Sequence, residues 1–139
     1  CLGESGTGKS THTRLWRENI EGSRLLNDDS PIVRMIDGKC IIYGSPWSGK
    51  TPCYINRCFP IAGFVRLSQA PFNKITRLNA LIAIGALLPS CPHIFADDNT
   101  LQDELCTTLG EVIRQTPVYT LACLPNAEAA QLSHSTLFA

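Results

Sequence analysis

A glycine-rich pattern near the start of the chain restricts what this sequence folds into more than any other feature. Residues 3–10 read Gly-Glu-Ser-Gly-Thr-Gly-Lys-Ser and match the pattern G-x-x-x-x-G-K-S. In such a loop, backbone N–H groups point at phosphate oxygens, the lysine reaches the β- and γ-phosphates, and the hydroxyl ligates Mg²⁺. The pattern predicts a nucleoside triphosphate site built from Gly3, Ser5, Gly6, Thr7, Gly8, Lys9, Ser10 and Thr11.

Length and charge limit the class of protein and of partner. The chain has 139 residues, which predicts one domain over residues 1–139 with a core of its own. Lys+Arg and Asp+Glu both number 12, so the net charge is zero. A neutral balance argues against nucleic acid or an anionic membrane as the main partner.

The cysteines and the apolar stretches indicate where the protein resides. The seven cysteines are an odd number and form no C-x-x-C pair, which favours reduced thiols over disulfides or a zinc site. The longest apolar stretch, Ala80–Leu88, is too short to span a bilayer. We expect a cytoplasmic protein.

The glycine-rich loop lies unusually early in the chain. Loops of this type follow a buried strand, yet only Cys1 and Leu2 precede Gly3. We therefore expect a C-terminal fragment of a longer protein, whose upstream strands complete the sheet.

The first half of the chain predicts one helix, one buried strand and a hairpin. Lys9–Glu18 has the apolar spacing of a helix, and Arg24–Asn27 resembles a short buried strand. Asp37-Gly38 separates the predicted strands Pro31–Ile36 and Lys39–Tyr43, as in a two-residue hairpin.

The second half predicts further strands and helices in loose alternation. Its predicted elements are a loop over Gly44–Pro60, strands over Ile61–Leu67, Asn73–Leu78 and Pro117–Cys123, and helices over Ala80–Leu88, Leu101–Arg114 and from Pro125 to Leu137. Asn79 is the predicted cap of the second helix, and Asn99 or Thr100 that of the third. Because the hairpin adds antiparallel pairing, we expect an α/β fold with a mixed sheet and flanking helices.

Two adjacent carboxylates are the second chemical feature. Asp28 and Asp29 follow the predicted strand, about one helix and one strand beyond Lys9. In phosphate-binding-loop proteins an acidic residue at such a strand end holds Mg²⁺, and a second carboxylate accepts a proton from an attacking hydroxyl. The alternative interpretation is an ordinary Asn-Asp-Asp-Ser turn.

Three further residues, Lys50, Arg66 and His12, each have a functional and a purely structural interpretation. Gly44–Thr51 also matches G-x-x-x-x-G-K-T, but Pro52 follows and no amphipathic helix does, so we expect no second nucleotide site. Lys50 in that segment is predicted either to close over the phosphates or to be solvated. Arg66 is predicted either to stabilise the transferred charge or to be salt-bridged. His12 is predicted on the helix surface.

With these motifs in place, the chain resembles the catalytic domain of HPr kinase/phosphorylase and, more broadly, the phosphoenolpyruvate carboxykinase-like kinases. The resemblance rests on Gly3–Ser10 and on Arg24-Leu25-Leu26-Asn27-Asp28-Asp29, and more loosely on Gly44-Ser45-Pro46-Trp47 and Phe59–Gln69. It implies an ATP- and Mg²⁺-dependent kinase that phosphorylates a hydroxyl of a protein or small molecule, and an assembly of several copies.

The resemblance also implies roles for individual residues. Asp28 corresponds to the carboxylate that activates the acceptor hydroxyl and Asp29 to the metal ligand, while Gly8, Lys9 and Ser10 correspond to residues that hold the phosphates and Mg²⁺. Apart from the resemblance, Lys50 or Arg66 is predicted to neutralise the charge on the departing group. Two other functions remain open: a nucleotide-binding regulatory module without transfer activity, and carboxykinase chemistry that couples transfer to decarboxylation.

Overall fold

The computed structural model describes residues 1–3, 6–27, 31–46, 55–91 and 99–138, which form six strands and four α-helices. In chain order these are α1 Lys9–Asn19, β1 Ile32–Ile36, β2 Lys39–Tyr43, β3 Cys58–Pro60, β4 Phe64–Gln69, β5 Lys74–Arg77, α2 Ala80–Leu87, α3 Asn99–Gln115, β6 Val118–Cys123 and α4 Ala127–Leu137. A short 3₁₀ turn, Leu88–Ser90, follows α2. The predicted α/β class is confirmed.

β1 and β2 form the predicted hairpin. Asp37 and Gly38 both have positive φ, 51° and 75°, as a two-residue turn between right-twisted strands requires. The register then pairs Ile36 with Lys39 and runs to Ile32 opposite Tyr43. The local sequence is sufficient to specify this element.

β3 corrects the prediction of a continuous loop over residues 44–60. It pairs antiparallel with β2, Ile41 lying opposite Pro60 and Tyr43 opposite Cys58, and completes a three-stranded sheet in the order β1-β2-β3. Pro60 is tolerated because β3 is an edge strand, where a missing N–H leaves no internal ladder bond unmade. Residues 47–54 of the predicted loop lie outside the described residues.

The second sheet is mixed and carries the glycine-rich loop at one side. Its order is β4-β6-β5, with β4 and β6 parallel and β5 and β6 antiparallel. Leu2 extends this sheet, because it forms a parallel bridge to Arg66: the Leu2 N–H donates to Val65 O at 2.7 Å and Leu67 N–H donates to Leu2 O at 2.9 Å. The loop therefore follows a residue in strand conformation.

The two faces of the mixed sheet pack against different helices. Val65, Leu67 and the fully buried Leu121 form one apolar cluster, against which Leu132 and Leu137 of α4 pack. On the opposite face Val118 joins a larger cluster that includes α2, α3 and the hairpin, through Ala83, Ala86, Leu87, Leu109, Val112 and Cys40. Strand alternation explains this division, since neighbouring side chains point to opposite faces.

The predicted strand Arg24–Asn27 is wrong. Residues 23–27 contain a bend and no strand. The Ser23 hydroxyl donates to Trp16 O at 2.8 Å, and the Asn27 amide donates to Ser45 Oγ at 3.2 Å. Two leucines between polar residues are too short an apolar run to specify a strand. Tertiary contacts therefore determine the backbone conformation of this segment.

Two helices begin at asparagine caps, of which Asn79 was predicted from the sequence. Asn79 accepts a hydrogen bond from Ile82 N–H at 3.0 Å and begins α2, and Asn126 accepts one from Ala129 N–H at 3.1 Å and begins α4. The prediction for α3 is wrong at its start, because Asn99 is already helical. None of the helices within the described ranges combines the length and apolarity needed to cross a membrane.

Candidate phosphate-binding site

The glycine-rich loop turns sharply between Leu2 and α1. Gly3, Gly6 and Gly8 have φ values of 151°, 85° and 96°, which side-chain-bearing residues rarely adopt. At Gly3 space is also limiting, since a Cβ there would lie 2.6 Å from Thr7 Oγ1. Ser5 of the predicted site lies outside the described residues, whereas Gly3, Gly6, Thr7, Gly8, Lys9, Ser10 and Thr11 are within them.

Lys9 links the two ends of this loop. Its ammonium donates a hydrogen bond to the Gly3 carbonyl oxygen at 2.6 Å, and the side chain is half-buried. The ammonium group therefore lies next to the first glycine of the loop, while the backbone of Lys9 begins α1. Because the hydrogen bond to Gly3 already orders the lysine side chain, a phosphate bound in the turn would cost little further side-chain entropy.

The N-terminus of α1 adds a second source of positive potential. Gly8 occupies the N-cap position, makes no side-chain cap bond, and the first turn contains no acidic residue. The first backbone N–H groups of a helix have no intrahelical acceptor and carry about half a positive charge in sum. Ser10 lies in this first turn and is exposed.

Gln69 joins the loop to the sheet and was not predicted from the sequence. It is the last residue of β4, and its side-chain amide donates to Gly6 O at 3.1 Å. This bond fixes the middle of the loop relative to the carboxyl end of the parallel strands, where ligands bind in open α/β sheets. Gln69 ends the segment Phe59–Gln69, on which the looser part of the resemblance rests, but neither that segment nor any motif assigned it a role.

His12 is buried, which corrects its predicted surface position. It is 3 % exposed, with Nε2 lying 3.1 Å from Ser133 Oγ and 3.2 Å from Trp16 Nε1. Trp16 Nε1 also donates to Ser133 Oγ at 2.8 Å. These three side chains connect α1, just behind the loop, to α4. The spacing of His12, Leu15 and Trp16 on one helical face was the signal that could have predicted this burial.

The environment of His12 favours the neutral ring. The indole N–H is only a donor, so Nε2 accepts and the ring proton is assigned to Nδ1. A protonated ring would place a second N–H against that indole. Burial, with a smaller effect from the positive amino terminus, lowers the His12 pKa from 6.5 to about 4.

This pKa predicts that acid destabilises the fold between pH 6.5 and 4. The unfolded chain takes up the His12 proton near pH 6.5, but the folded chain resists it until about pH 4. The loss of unfolding free energy is therefore complete near pH 4 and reaches at most about 3 kcal/mol. Urea titrations across this range should show it. The variant His12→Gln keeps an acceptor but does not titrate, so its pH dependence should be flatter; parallel curves for the two proteins would contradict the assignment.

The predicted catalytic residue Asp28 and the predicted metal ligand Asp29 lie outside the described residues, but the segment before them is described. Asn27 bonds to Ser45, which follows the end of β2, and Leu26 Cδ1 lies 3.5 Å from where a Gly44 Cβ would stand. Leu26 also lines a cleft of about 220 Å³ together with Cys1 and Thr13. The chain leading to Asp28 and Asp29 thus runs beside the start of the glycine-rich loop and beside α1.

The residues that flank the Lys50 segment, Gly44 before it and Ile55 and Arg57 after it, lie next to each other. Lys50 itself lies outside the described residues, with all of residues 47–54. A Cβ at Gly44 would collide with the carbonyl oxygen of Ile55, and Gly44 N–H donates to Arg57 O at 3.0 Å. Residues 44 and 55–57 are therefore adjacent, so both ends of the segment lie next to the chain that leads to Asp28. The absence of a second nucleotide site stays a prediction.

Arg66 makes a structural contact. Its guanidinium donates to the Ala86 carbonyl oxygen at 3.2 Å, within the last turn of α2. Cations at a helix C-terminus are favourable because they complement the free carbonyls and the dipole. Arg66 pairs with Leu2 and Thr120 in the middle of the sheet, about 10 Å along the strand from Gln69. Its proposed part in catalysis stays a prediction.

The described thiols form no disulfide and no metal cluster. Cys1, Cys40, Cys58, Cys91, Cys106 and Cys123 are all free, and burial raises the pKa of Cys40, Cys91 and Cys123. Among the residues that the structure describes, no three His, Cys, Asp or Glu side chains converge as a metal site. This leaves Ser10 as the described member of the predicted Mg²⁺ pair, since Asp29 lies outside.

No protein-family model, no curated protein and no solved structure matches this chain.

Proposed function

We propose that this chain binds a nucleoside triphosphate with Mg²⁺ at the glycine-rich loop and transfers its γ-phosphoryl group to a hydroxyl. One observation carries the proposal. Three glycines with positive φ join a residue paired in a parallel sheet to an uncapped helix N-terminus, with the Lys9 ammonium 2.6 Å from Gly3 O across the turn. Glycine conformation, the backbone N–H groups of a helix N-terminus and a lysine together are what a polyphosphate requires.

Different residues of the candidate site are proposed to bind the phosphates and the metal ion. Backbone N–H groups of the loop and of the first turn of α1 hold the phosphate oxygens, and Lys9 neutralises those of the β- and γ-phosphates. The Ser10 hydroxyl, together with Asp29 from outside the described residues, would hold Mg²⁺, which would withdraw charge from the phosphate oxygens. Gln69 keeps the loop at the end of β4 through its bond to Gly6.

The transfer itself requires a proton acceptor near the γ-phosphate. The oxygen of the acceptor hydroxyl bonds to the γ-phosphorus, and the bond from that phosphorus to the β-phosphate oxygen breaks. Asp28 accepts the proton that the hydroxyl loses. The convergence of residues 26–27, 44–45 and 55–57 supports this role, because it brings the chain that leads to Asp28 beside both ends of the Lys50 segment. Lys50 then neutralises charge on the departing diphosphate.

The test is a transfer assay with γ-labelled ATP. The full-length protein is incubated with the nucleotide, Mg²⁺ and a cell extract, and labelled proteins are separated from labelled small molecules by electrophoresis and thin-layer chromatography. We expect label on one acceptor class, and none with the Lys9→Ala variant. If ATP binds but no acceptor is labelled, the proposal of transfer is wrong and the chain is a nucleotide-binding regulatory module. If ATP does not bind, the whole proposal is wrong.

A further inference from the structure

A cavity of about 300 Å³ opens beside the glycine-rich loop, between α1 and the residues that follow β4 and β6. Its lining includes Gly8, Thr11 and Leu15 on one side. Ala70, Leu124 and Pro125 form the other side. We infer that this cavity binds the base of the nucleoside triphosphate; the inference rests on the proposed function.

The position of the cavity matches the shape of a nucleotide. It begins at Gly8, where the phosphates are proposed to bind, and continues along α1 to Leu15. Seven residues of helix advance by about 10 Å, which leaves room for a ribose and a base beyond the phosphates. The volume is at the lower end of the range for small-molecule pockets, about 300–1,000 Å³.

The chemistry of the walls suits a flat aromatic ring. Leu15, Ala70, Leu124 and Pro125 present apolar surface, and Leu124 is 37 % exposed although it is a large apolar side chain. An apolar ring that covers this surface removes both partners from water, which is the main source of affinity in such pockets. Thr11 lies on the side nearest the phosphates, where a ribose hydroxyl would need a polar neighbour.

The outer wall is pre-formed by hydrogen bonds that do not involve a ligand. Ala70 N–H donates to Cys123 O at 3.1 Å, and Leu124 N–H donates to Asn73 Oδ1 at 2.8 Å. The Asn73 amide in turn donates to Asn126 Oδ1 at 3.1 Å. A wall that is already ordered costs a ligand little entropy on binding. The backbone donors of Ala70 and Leu124 are already used, so these two residues offer the base apolar contact rather than hydrogen bonds.

The experiment compares ATP with inorganic tripolyphosphate, which carries the phosphates but no base. Binding of each, with Mg²⁺, is measured by isothermal titration calorimetry on the full chain. Two variants alter the cavity without changing charge: Ala70→Leu fills it, and Leu124→Asn makes its wall polar at similar size. The matched control is Ile82→Asn, which replaces another exposed apolar residue, 55 % exposed, on α2.

We expect the unaltered chain to bind ATP at least tenfold more tightly than tripolyphosphate. Both cavity variants should lose about tenfold in ATP affinity while tripolyphosphate affinity stays within twofold, and Ile82→Asn should change neither. Equal affinity of the unaltered chain for the two ligands would overturn the inference but leave the phosphate site standing. Cavity variants that bind ATP as tightly as the unaltered chain would also overturn the inference. Failure of the unaltered chain to bind either ligand would instead overturn the proposed function.

Discussion

Replacement of Lys9 by alanine is expected to weaken the binding of ATP with Mg²⁺ about a hundredfold. Lys9 is the charged group that the structure holds across the glycine turn, 2.6 Å from Gly3 O. Hydrogen bonds to charged groups contribute about 1.5–3 kcal/mol each, and each 1.4 kcal/mol changes affinity tenfold. Two such bonds, to the β- and γ-phosphates, give a loss on the order of a hundredfold even after the ammonium gives up its bond to Gly3. Calorimetric titration of both proteins measures the loss.

A second lysine offers the matched control for this prediction. Lys39 begins β2 next to the hairpin turn, and its side chain is exposed. Lys39→Ala removes the same charge and a similar side chain, so it should leave ATP affinity within about twofold, as expected for a screened surface charge. Circular dichroism of both variants establishes that each is folded. If Lys9→Ala and Lys39→Ala bind ATP equally well, the glycine-rich loop is not the phosphate site.

Replacement of Asp28 by asparagine is expected to abolish transfer while ATP still binds. The amide has the size of the carboxylate but cannot accept a proton, and the loss of a general base lowers rates by about 10²–10⁴-fold. ATP affinity should change less than about threefold, because the proposal assigns the phosphates to Lys9 and the loop and not to Asp28. Single-turnover phosphorylation and calorimetry, carried out on the same preparation, separate the two effects.

Two other aspartates give this prediction its controls. Asp37 lies in the hairpin turn with φ 51°, a conformation that asparagine also adopts readily, so Asp37→Asn removes a charge without disturbing the turn. Its transfer rate should equal that of the unaltered chain. Asp29→Asn should instead raise the Mg²⁺ concentration needed for half-maximal transfer. A normal transfer rate in Asp28→Asn would remove Asp28 from the mechanism.

Much of the secondary structure was predictable because it depends on local chemistry. The hairpin follows from Asp37-Gly38, whose two positive φ angles fix the register of both strands. The starts of α2 and α4 follow from Asn79 and Asn126, whose side chains satisfy N–H groups three residues on. These elements need no distant partner to be specified.

Predictions failed where a distant partner decides the structure. The residues Arg24–Asn27 were expected as a strand but bend instead, and Asn27 bonds to Ser45, 18 positions away. β3 was expected as loop, yet it pairs with β2. His12 was expected at the surface, but Ser133, 121 positions away, buries it. None of these partners is visible in a local pattern.

The features of the candidate site also fall into those that the local sequence predicts and those that depend on tertiary contacts. The sequence by itself determined that a glycine turn, a lysine and a hydroxyl stand together, because their positions within one loop and the following helix turn leave little freedom. Only the tertiary structure decided that Gln69 fixes this loop, that Arg66 bonds to the end of α2, and that residues after β4 and β6 enclose a cavity beside it. The reason is physical: phosphate recognition uses neighbouring backbone groups, whereas a cavity requires walls from segments that only the packed sheet brings together.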